Sequence, residues 1–327
     1  MSEKPTLRIG YVPEHYLAPL HLSLRSPTYA SLPYTLTLTP FPSGTGHMIT
    51  SLRSGEIDLA IGLTEGWVAG LAGKSAPPSP TQGGYKIVGH WVDTPLRWAI
   101  VTGRDRDSLN SVQDLEGGKV GVSRLGSGSH VMSFVLAERE KWAKGAKDQG
   151  QKGLEPVILG PFGPLKEGVA GTTPGQTPDS GKADFFMWEH FTTKPSFHGA
   201  DAPLKKIGEI FTPWPSWLIV ASTATFPDPE NDARLARLFE VLDSGIRAFE
   251  SDNEGVVRML GTGEFGCNYS AEDGGEWIRD VRFTEATRGV SAQVLGGVVD
   301  VLKTAGVIEE RVDREEAIKL VTGIARS

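Results

Sequence analysis

The chain has a single cysteine, Cys267, among 327 residues. One thiol cannot close an intramolecular disulfide, and no Cys-x-x-Cys pair exists for zinc or thiol exchange. A free cysteine is most often a small buried hydrophobe. An excess of basic charge is also missing. Lys and Arg number 33 against 40 Asp and Glu, a formal net charge of -7. Nonspecific nucleic-acid binding rests on phosphate neutralisation by Lys and Arg, so no nucleic-acid partner is expected. No segment reaches the ~18 consecutive apolar residues of a membrane helix, so no membrane insertion is expected. The opening Met-Ser-Glu-Lys-Pro-Thr-Leu-Arg-Ile-Gly-Tyr-Val lacks the ~7–15-residue apolar stretch of a secretory signal. The expectation is a cytoplasmic protein, in which Asn268-Tyr269-Ser270 has no evident route to glycosylation.

Several catalytic signatures are absent too. Gly73-Lys74-Ser75 resembles the tail of a phosphate-binding loop, but Val68 stands where its first glycine belongs. Gly126-x-Gly128 is followed by Val131, not by the third glycine of a dinucleotide fingerprint. There is no Gly-x-Ser-x-Gly elbow and no His-Glu-x-x-His helix. Nucleotide hydrolase, serine hydrolase and zinc protease readings lose support.

What is present is an ordinary globular composition, 39% apolar and 22% charged. At roughly 100–200 residues per domain, the length suggests two domains. Leu7–Val12 is a short apolar run closed by Pro13 and reads as a buried strand. Tyr34–Leu38 reads as the next strand. Ser43-Gly44-Thr45-Gly46 then leads into a helix with Met48, Ile49 and Leu52 at helical spacing. Ile57–Leu63 is a third strand, which gives the β-loop-helix-β grammar of a parallel sheet. Tyr85–His90, Arg97–Thr102, Lys119–Ser123, Glu155–Leu159, Ala183–Trp188, Lys206–Phe211 and Trp217–Ala221 are further strands. A helix is expected from about His130 to Trp142. Gly/Pro-rich loops are expected at 73–84, 145–153 and 170–181. From Asp232 onward the apolar stripes, such as Leu235, Leu238, Phe239, Leu242, Ile246 and Phe249, are helical. The order strand, Gly/Ser turn, helix, Gly-x-x-Asp strand occurs twice, at 43–63 and 126–188, which implies two similar lobes.

These stretches resemble a known family. Ser51-Leu52-Arg53-Ser54-Gly55-Glu56-Ile57-Asp58-Leu59-Ala60 is similar to the helix-to-strand segment of type 2 periplasmic binding proteins. Asp114-Leu115-Glu116-Gly117-Gly118-Lys119, with one extra glycine, resembles the start of their second lobe. Gly181-Lys182-Ala183-Asp184 resembles the second-lobe copy of Gly-x-x-Asp, and Val301–Ile308 resembles the family's C-terminal helix. Within the fold the chain is similar to the branch of sulfonate, taurine and nitrate binding proteins and of a fungal thiamine pyrimidine-precursor synthase, and to a cytoplasmic fungal group. The resemblance implies an α/β two-lobed fold, each lobe a mainly parallel sheet flanked by helices. It implies lobe 1 at residues 1–98 plus 218–327, lobe 2 at 99–217, and two crossing segments as the hinge.

In open parallel sheets a ligand sits outside the carboxyl ends of the strands. That rule selects Glu14, His15 and Tyr16 after the first strand, Ser43, Gly44, Thr45 and Gly46 after the second, and Thr64 and Glu65 after the third. In the second lobe it selects Gly126, Ser127, Gly128 and Ser129, then Trp188, Glu189 and His190. Trp214, near a crossing segment, is the remaining choice. The two Gly/Ser/Thr turns precede helices, where free N–H groups gather and favour anions. The same residues are also good N-caps, and the two readings use the same N–H groups. Glu14-His15 and Glu189-His190 could face an amine or a metal, or be ordinary loop polarity. No metal and no cofactor is assigned.

The expected function is binding of a small polar or anionic molecule between the lobes, with hinge closure and no catalysis. The alternative is a cofactor- or metal-dependent enzyme like the synthase, which uses pyridoxal phosphate and iron. That enzyme's cysteine-rich motif is absent here, because Cys267 stands alone. Exported relatives hand their ligand to a permease; without an export signal, such a partner is not expected.

Overall fold

The computed structural model describes residues 4–77, 83–142, 153–171 and 182–326. The three Gly/Pro-rich loops expected from the sequence fall in part outside the described residues, as does Gly181. The chain divides into two units. The first comprises Met1–Thr94, Trp214–Asp300 and Ile308–Ser327; the second comprises Pro95–Pro213 and Val301–Val307.

The first unit opens with β1 (Thr6–Tyr11), a 3-10 turn at His15–Leu17, α1 (Ala18–Ser23) and α2 (Pro27–Ala30). It continues with β2 (Thr35–Pro40), α3 (Thr45–Arg53), β3 (Leu59–Leu63), α4 (Thr64–Ala72) and β4 (Tyr85–Val92). The second unit holds β5 (Arg97–Gly103), β6 (Lys119–Val122), α5 (Gly128–Arg139) and β7 (Glu155–Ile158). It is completed by α6 (Phe162–Ala170), β8 (Phe185–Glu189), α7 (His190–Phe197) and β9 (Leu204–Phe211). The chain then adds β10 (Trp217–Ser222), α8 (Ala233–Ser251), α9 (Asn253–Leu260), α10 (Ala271–Asp280), α11 (Ala292–Thr304) and α12 (Arg314–Val321).

Each unit has a five-stranded sheet of the same topology. The first runs β2-β1-β3-β10-β4 and the second β7-β6-β8-β5-β9. In the first, β2, β1 and β3 are parallel and β10 is antiparallel to both β3 and β4. In the second, β7, β6 and β8 are parallel and β5 is antiparallel to both β8 and β9. Every residue of β10 is buried, as a strand between covered faces requires.

The Gly-x-x-Asp segments do the same work in both sheets. The Asp58 N–H donates to the Arg8 carbonyl at 2.8 Å, and the Arg8 N–H donates back to Asp58 Oδ2 at 2.9 Å. In the second unit the Asp184 N–H donates to the Lys119 carbonyl at 2.7 Å, and the Lys119 N–H returns to Asp184 Oδ2 at 2.6 Å. The two aspartates thereby lock β3 against β1 and β8 against β6, at the end opposite the carboxyl termini of those strands. An arginine holds each carboxylate: Arg8 grips Asp58 with Nε and Nη2, both at 2.9 Å, and Arg106 Nη1 grips Asp184 at 2.6 Å. Burial pushes the Asp58 carboxyl up, but its hydrogen bonds from Arg8 and Thr225 outweigh that and hold it below the usual carboxylate range.

All ten strands lie within a few residues of the segments the sequence marks, and so do α3, α5 and α8. Three helices depart from expectation. α4 begins at Thr64 with no turn residue after β3, so its start reads as a strand end. α6 contains Gly163, Pro164 and Gly168, which obscure a helical pattern, although Pro164 sits in the first turn where no N–H is needed. α7 has Pro195 in its interior.

Asp58→Ala is expected to cost about 2–3 kcal/mol in urea unfolding, because it leaves a strand N–H and a guanidinium without their acceptor. Arg8→Ala is expected to cost less than about 1 kcal/mol, since the Arg8 side chain is 41% exposed and an exposed ion pair contributes little. Equal losses for the two variants would count against the main-chain lock.

Candidate functional site

The parallel strands of each unit end on one edge, where a ligand of this kind of sheet binds. In the first unit that edge carries the residues after β1, β2 and β3 and, because β10 runs the other way, the residues just before β10.

The residues after β3 meet those before β10. The Glu65 carboxylate, wholly buried, accepts the Trp214 indole N–H at 3.1 Å. The Thr64 hydroxyl donates to the Pro215 carbonyl at 2.6 Å, and the Thr64 N–H donates to the Ser216 carbonyl at 3.0 Å. Thr45, the first residue of α3, turns inward: its hydroxyl oxygen accepts the Leu63 N–H at 3.0 Å. A Cβ added to Gly62 or Gly66 would lie 2.9 or 2.8 Å from that side chain, so two glycines admit it. Gly44 caps α3 at φ 77, a conformation open to glycine. Ser43 is exposed, and Gly44 and Gly46 are half-buried.

The residues after β1 part company. Glu14 is half-buried. His15 is buried with its Nδ1 at 2.9 Å from the Tyr269 hydroxyl, and its ring lies within 4.3 to 4.8 Å of Tyr16, Tyr269 and Trp277. Burial pushes its pKa down to about 3, so it is neutral at neutral pH. Tyr16 packs 5.6 Å from both Trp217 and Trp277. The sequence does not reveal this group, because Tyr269 and Trp277 arrive some 250 residues after His15. Cys267 lies close enough to Glu14 to feel its charge; burial first, then that charge, push its thiol up to about 12.

In the second unit the turn after β6 is tied together largely by its own hydrogen bonds. Gly126, at φ 74, donates its N–H to His130 Nδ1 at 3.0 Å. The Ser127 hydroxyl donates to the Arg124 carbonyl at 2.7 Å and accepts the His130 N–H at 3.3 Å, and it lies 3.0 Å from the Ser129 hydroxyl. Ser129 Oγ also accepts the Ser123 N–H at 3.1 Å. Gly128 is the first residue of α5. Ser127 is therefore the N-cap of α5, while Ser129, inside its first turn, holds the end of β6 through Ser123. His130, which the sequence reading passes over, is the acceptor that shapes this turn.

Glu189 ends β8 and caps α7, accepting the Thr192 N–H on Oε2 at 2.6 Å. It is 3% exposed, and burial pushes its carboxyl up to about 7. The buried His190 ring packs on Phe191 and Phe197. Trp188 is half-buried, with its ring 5.7 Å from Phe162. Among the described residues, no three His, Cys, Asp or Glu side chains gather as a metal would require. Nor, among them, is any helix long and apolar enough to cross a membrane.

The Ca3427-like PBP family model matches residues 98–210. The Candida albicans CA3427 gene product, which defines a family with the generic periplasmic binding protein fold, is 28% identical to this chain. The two superpose at a TM-score of 0.81 over 99% of this chain and 98% of that one. The chain has the generic periplasmic binding protein fold. Its fold is shared by the alkanesulfonate-binding protein SsuA of Xanthomonas axonopodis pv. citri, at 18% identity and a TM-score of 0.67, covering 97% of this chain and 99% of that one. It is shared too by the nitrate-binding protein NrtA of Synechocystis, at 13% identity and a TM-score of 0.67, covering 98% and 86%. No curated protein sequence matches the chain.

The burial of Glu189 has a measurable consequence. Its folded-state pKa of about 7 lies above the ordinary 4.5. Between those values the folded protein keeps a proton that the unfolded chain releases, so stability falls as pH rises through that window. Glu189→Gln keeps a carbonyl oxygen for Thr192. It is expected to match the parent at pH 4 and to exceed it at pH 8 by on the order of 3 kcal/mol in urea unfolding. A constant difference across that range would show that Glu189 titrates normally.

Proposed function

We propose that the protein is a receptor for a small polar solute, held at the carboxyl edges of its sheets and released chemically unchanged. Ligand binding is coupled to closure about the two crossing segments, near 93–101 and 211–222. The observation that carries this reading is the doubled architecture: one sheet topology built twice, along the whole length shared with solved proteins that bind sulfonates and nitrate. Each edge also has the build of a receptor rather than of a loose surface. In the first unit Glu65 is fixed to Trp214 and Thr64 to Pro215 and Ser216, and in the second Ser127 is fixed to Ser129 and His130. Side chains held in place beforehand lose little freedom on binding, which favours affinity. Closure follows only if the solute prefers the closed state, since a ligand shifts an equilibrium by its differential affinity alone. Action in the cytoplasm is part of this proposal.

A thermal-shift screen of the purified chain against nitrate, sulfonates, carboxylates and amines tests the reading. A solute present at about 100 times its Kd stabilises by about 2.7 kcal/mol. At roughly 2–4 °C per kcal/mol, that is a rise of several degrees. The expected result is one responding class, accompanied by a smaller radius of gyration in X-ray scattering. A folded protein indifferent to every class would count against a receptor.

A further inference from the structure

An imidazole closes the turn between β6 and α5. Gly126 donates its N–H to His130 Nδ1 at 3.0 Å, and only a ring nitrogen without a proton can accept it. The main chain of the same histidine ties the other side of the turn, its N–H reaching the Ser127 hydroxyl at 3.3 Å. Ser127 is the N-cap of α5 and His130 the third residue of the helix. The pair has the form of a capping box: the N-cap side chain receives the third residue's N–H, and the third side chain reaches back to a main-chain N–H ahead of the helix. In the 3-10 turn at Val112–Leu115 the group that reaches back is a carboxylate, Asp114, which accepts the Ser111 N–H at 2.8 Å. In the turn before α5 it is a histidine, the side chain that titrates near neutrality.

The surroundings resist a charge on that ring. His130 is buried, and burial lowers its pKa. Its ring meets Phe134 edge-on at 5.0 Å. It stands in the first turn of a helix, where the dipole disfavours a cation. The Arg124 guanidinium lies beside the turn, 3.9 Å from where a Cβ on Gly126 would be. Of the strands packed against α5, β6 carries Lys119 at its far end, and β8 follows Asp184 and ends in Glu189. α5 itself carries Glu138, Arg139 and Glu140 about two turns further on. A proton on Nδ1 would set one N–H against another, so a charged ring and a closed turn exclude each other. We propose that His130 is a positioning residue that acts as an acid-sensitive latch: neutral, it holds the start of α5 in place, and protonated, it lets that start open. The N–H groups of Gly128 and Ser129, which meet no acceptor among the described residues, are the groups it positions. The consequence for binding rests on the solute-binding reading above: a solute held at this edge is bound near neutral pH and released in acid.

Hydrogen exchange of the full chain tests the latch without any ligand. Opening that takes up one proton at an ordinary imidazole pKa of about 6.5 lowers the protection of the Gly126 amide, measured against its exchange rate in a free peptide. The fall is about tenfold per pH unit below that value, as long as the closed turn predominates. His130→Asn keeps an acceptor oxygen in the place of Nδ1 and cannot be charged; its protection is expected to equal the parent's at pH 7.5 and to stay level down to pH 5. His130→Leu is expected to lose the protection at both values. A parent whose protection is equally level overturns the latch, and so does a fall that His130→Asn shares. Binding of nitrate, methanesulfonate, formate and methylammonium is then measured by calorimetry at pH 7.5 and pH 5. For a responding probe, Kd is expected to rise severalfold in acid with the parent and to stay level with His130→Asn. Tighter binding in acid that His130→Asn abolishes would make the imidazolium a contact for the solute and overturns the proposal. Silence from all four probes counts against the receptor reading alone, because the exchange result decides the latch by itself.

Discussion

The reciprocal pairs of hydrogen bonds between β3 and β1 and between β8 and β6 set the register from which everything at the opposite edge follows. A parallel pair shifted by one residue would turn every side chain of the moved strand to the other face. With Asp58 locked to Arg8, Ile9 faces Leu59 and Tyr11 faces Ile61. β3 then delivers Thr64 and Glu65 to the residues before β10. With Asp184 locked to Lys119, Val120 faces Phe185, and β8 delivers Glu189 to the first turn of α7. The locks also reach the antiparallel strand: Ser222 donates its N–H to the Asp58 carbonyl at 2.8 Å, and the Thr102 hydroxyl donates to the Asp184 carbonyl at 2.7 Å. One aspartate per unit therefore ties three strands at one end and so positions the candidate site at the other.

Much of this was legible before any coordinates. Strands buried on both faces leave short apolar runs, and β1, β3, β8 and β10 show them plainly. The repeat of Gly-x-x-Asp announced two similar sheets. Its work did not, because the partners of Asp58 and Asp184 lie 50 and 65 residues away in sequence. The site was legible as a set of positions and much less as chemistry. Thr45, Ser127 and Ser129 sit where a ligand-gripping hydroxyl and a helix cap look alike in sequence. Their hydroxyls turn out to hold the Leu63, His130 and Ser123 N–H groups. His15 reads as a polar loop residue until Tyr269 and Trp277 enclose it.

The titratable groups on these edges share a trend. Burial lowers the pKa of His15 and His130 and raises those of Glu189 and Cys267. In each case it is the charged form that loses water, so the neutral form is favoured. His15 and the Cys267 thiol are uncharged at neutral pH, and Glu189 is poised near it. Two arginines stand beside these neutral groups in the second unit: Arg97, at the start of β5, and Arg124, in the turn after β6.

A shared fold leaves the ligand open, because function resides in the side chains that the fold presents. At 18% and 13% identity the sulfonate- and nitrate-binding proteins share the scaffold with this chain. In this chain the edges carry a buried carboxylate bound to an indole in one unit and a serine turn tied by its own hydrogen bonds in the other. Both arrangements fix side chains before any ligand arrives, so whatever binds meets groups whose orientation the fold has already set.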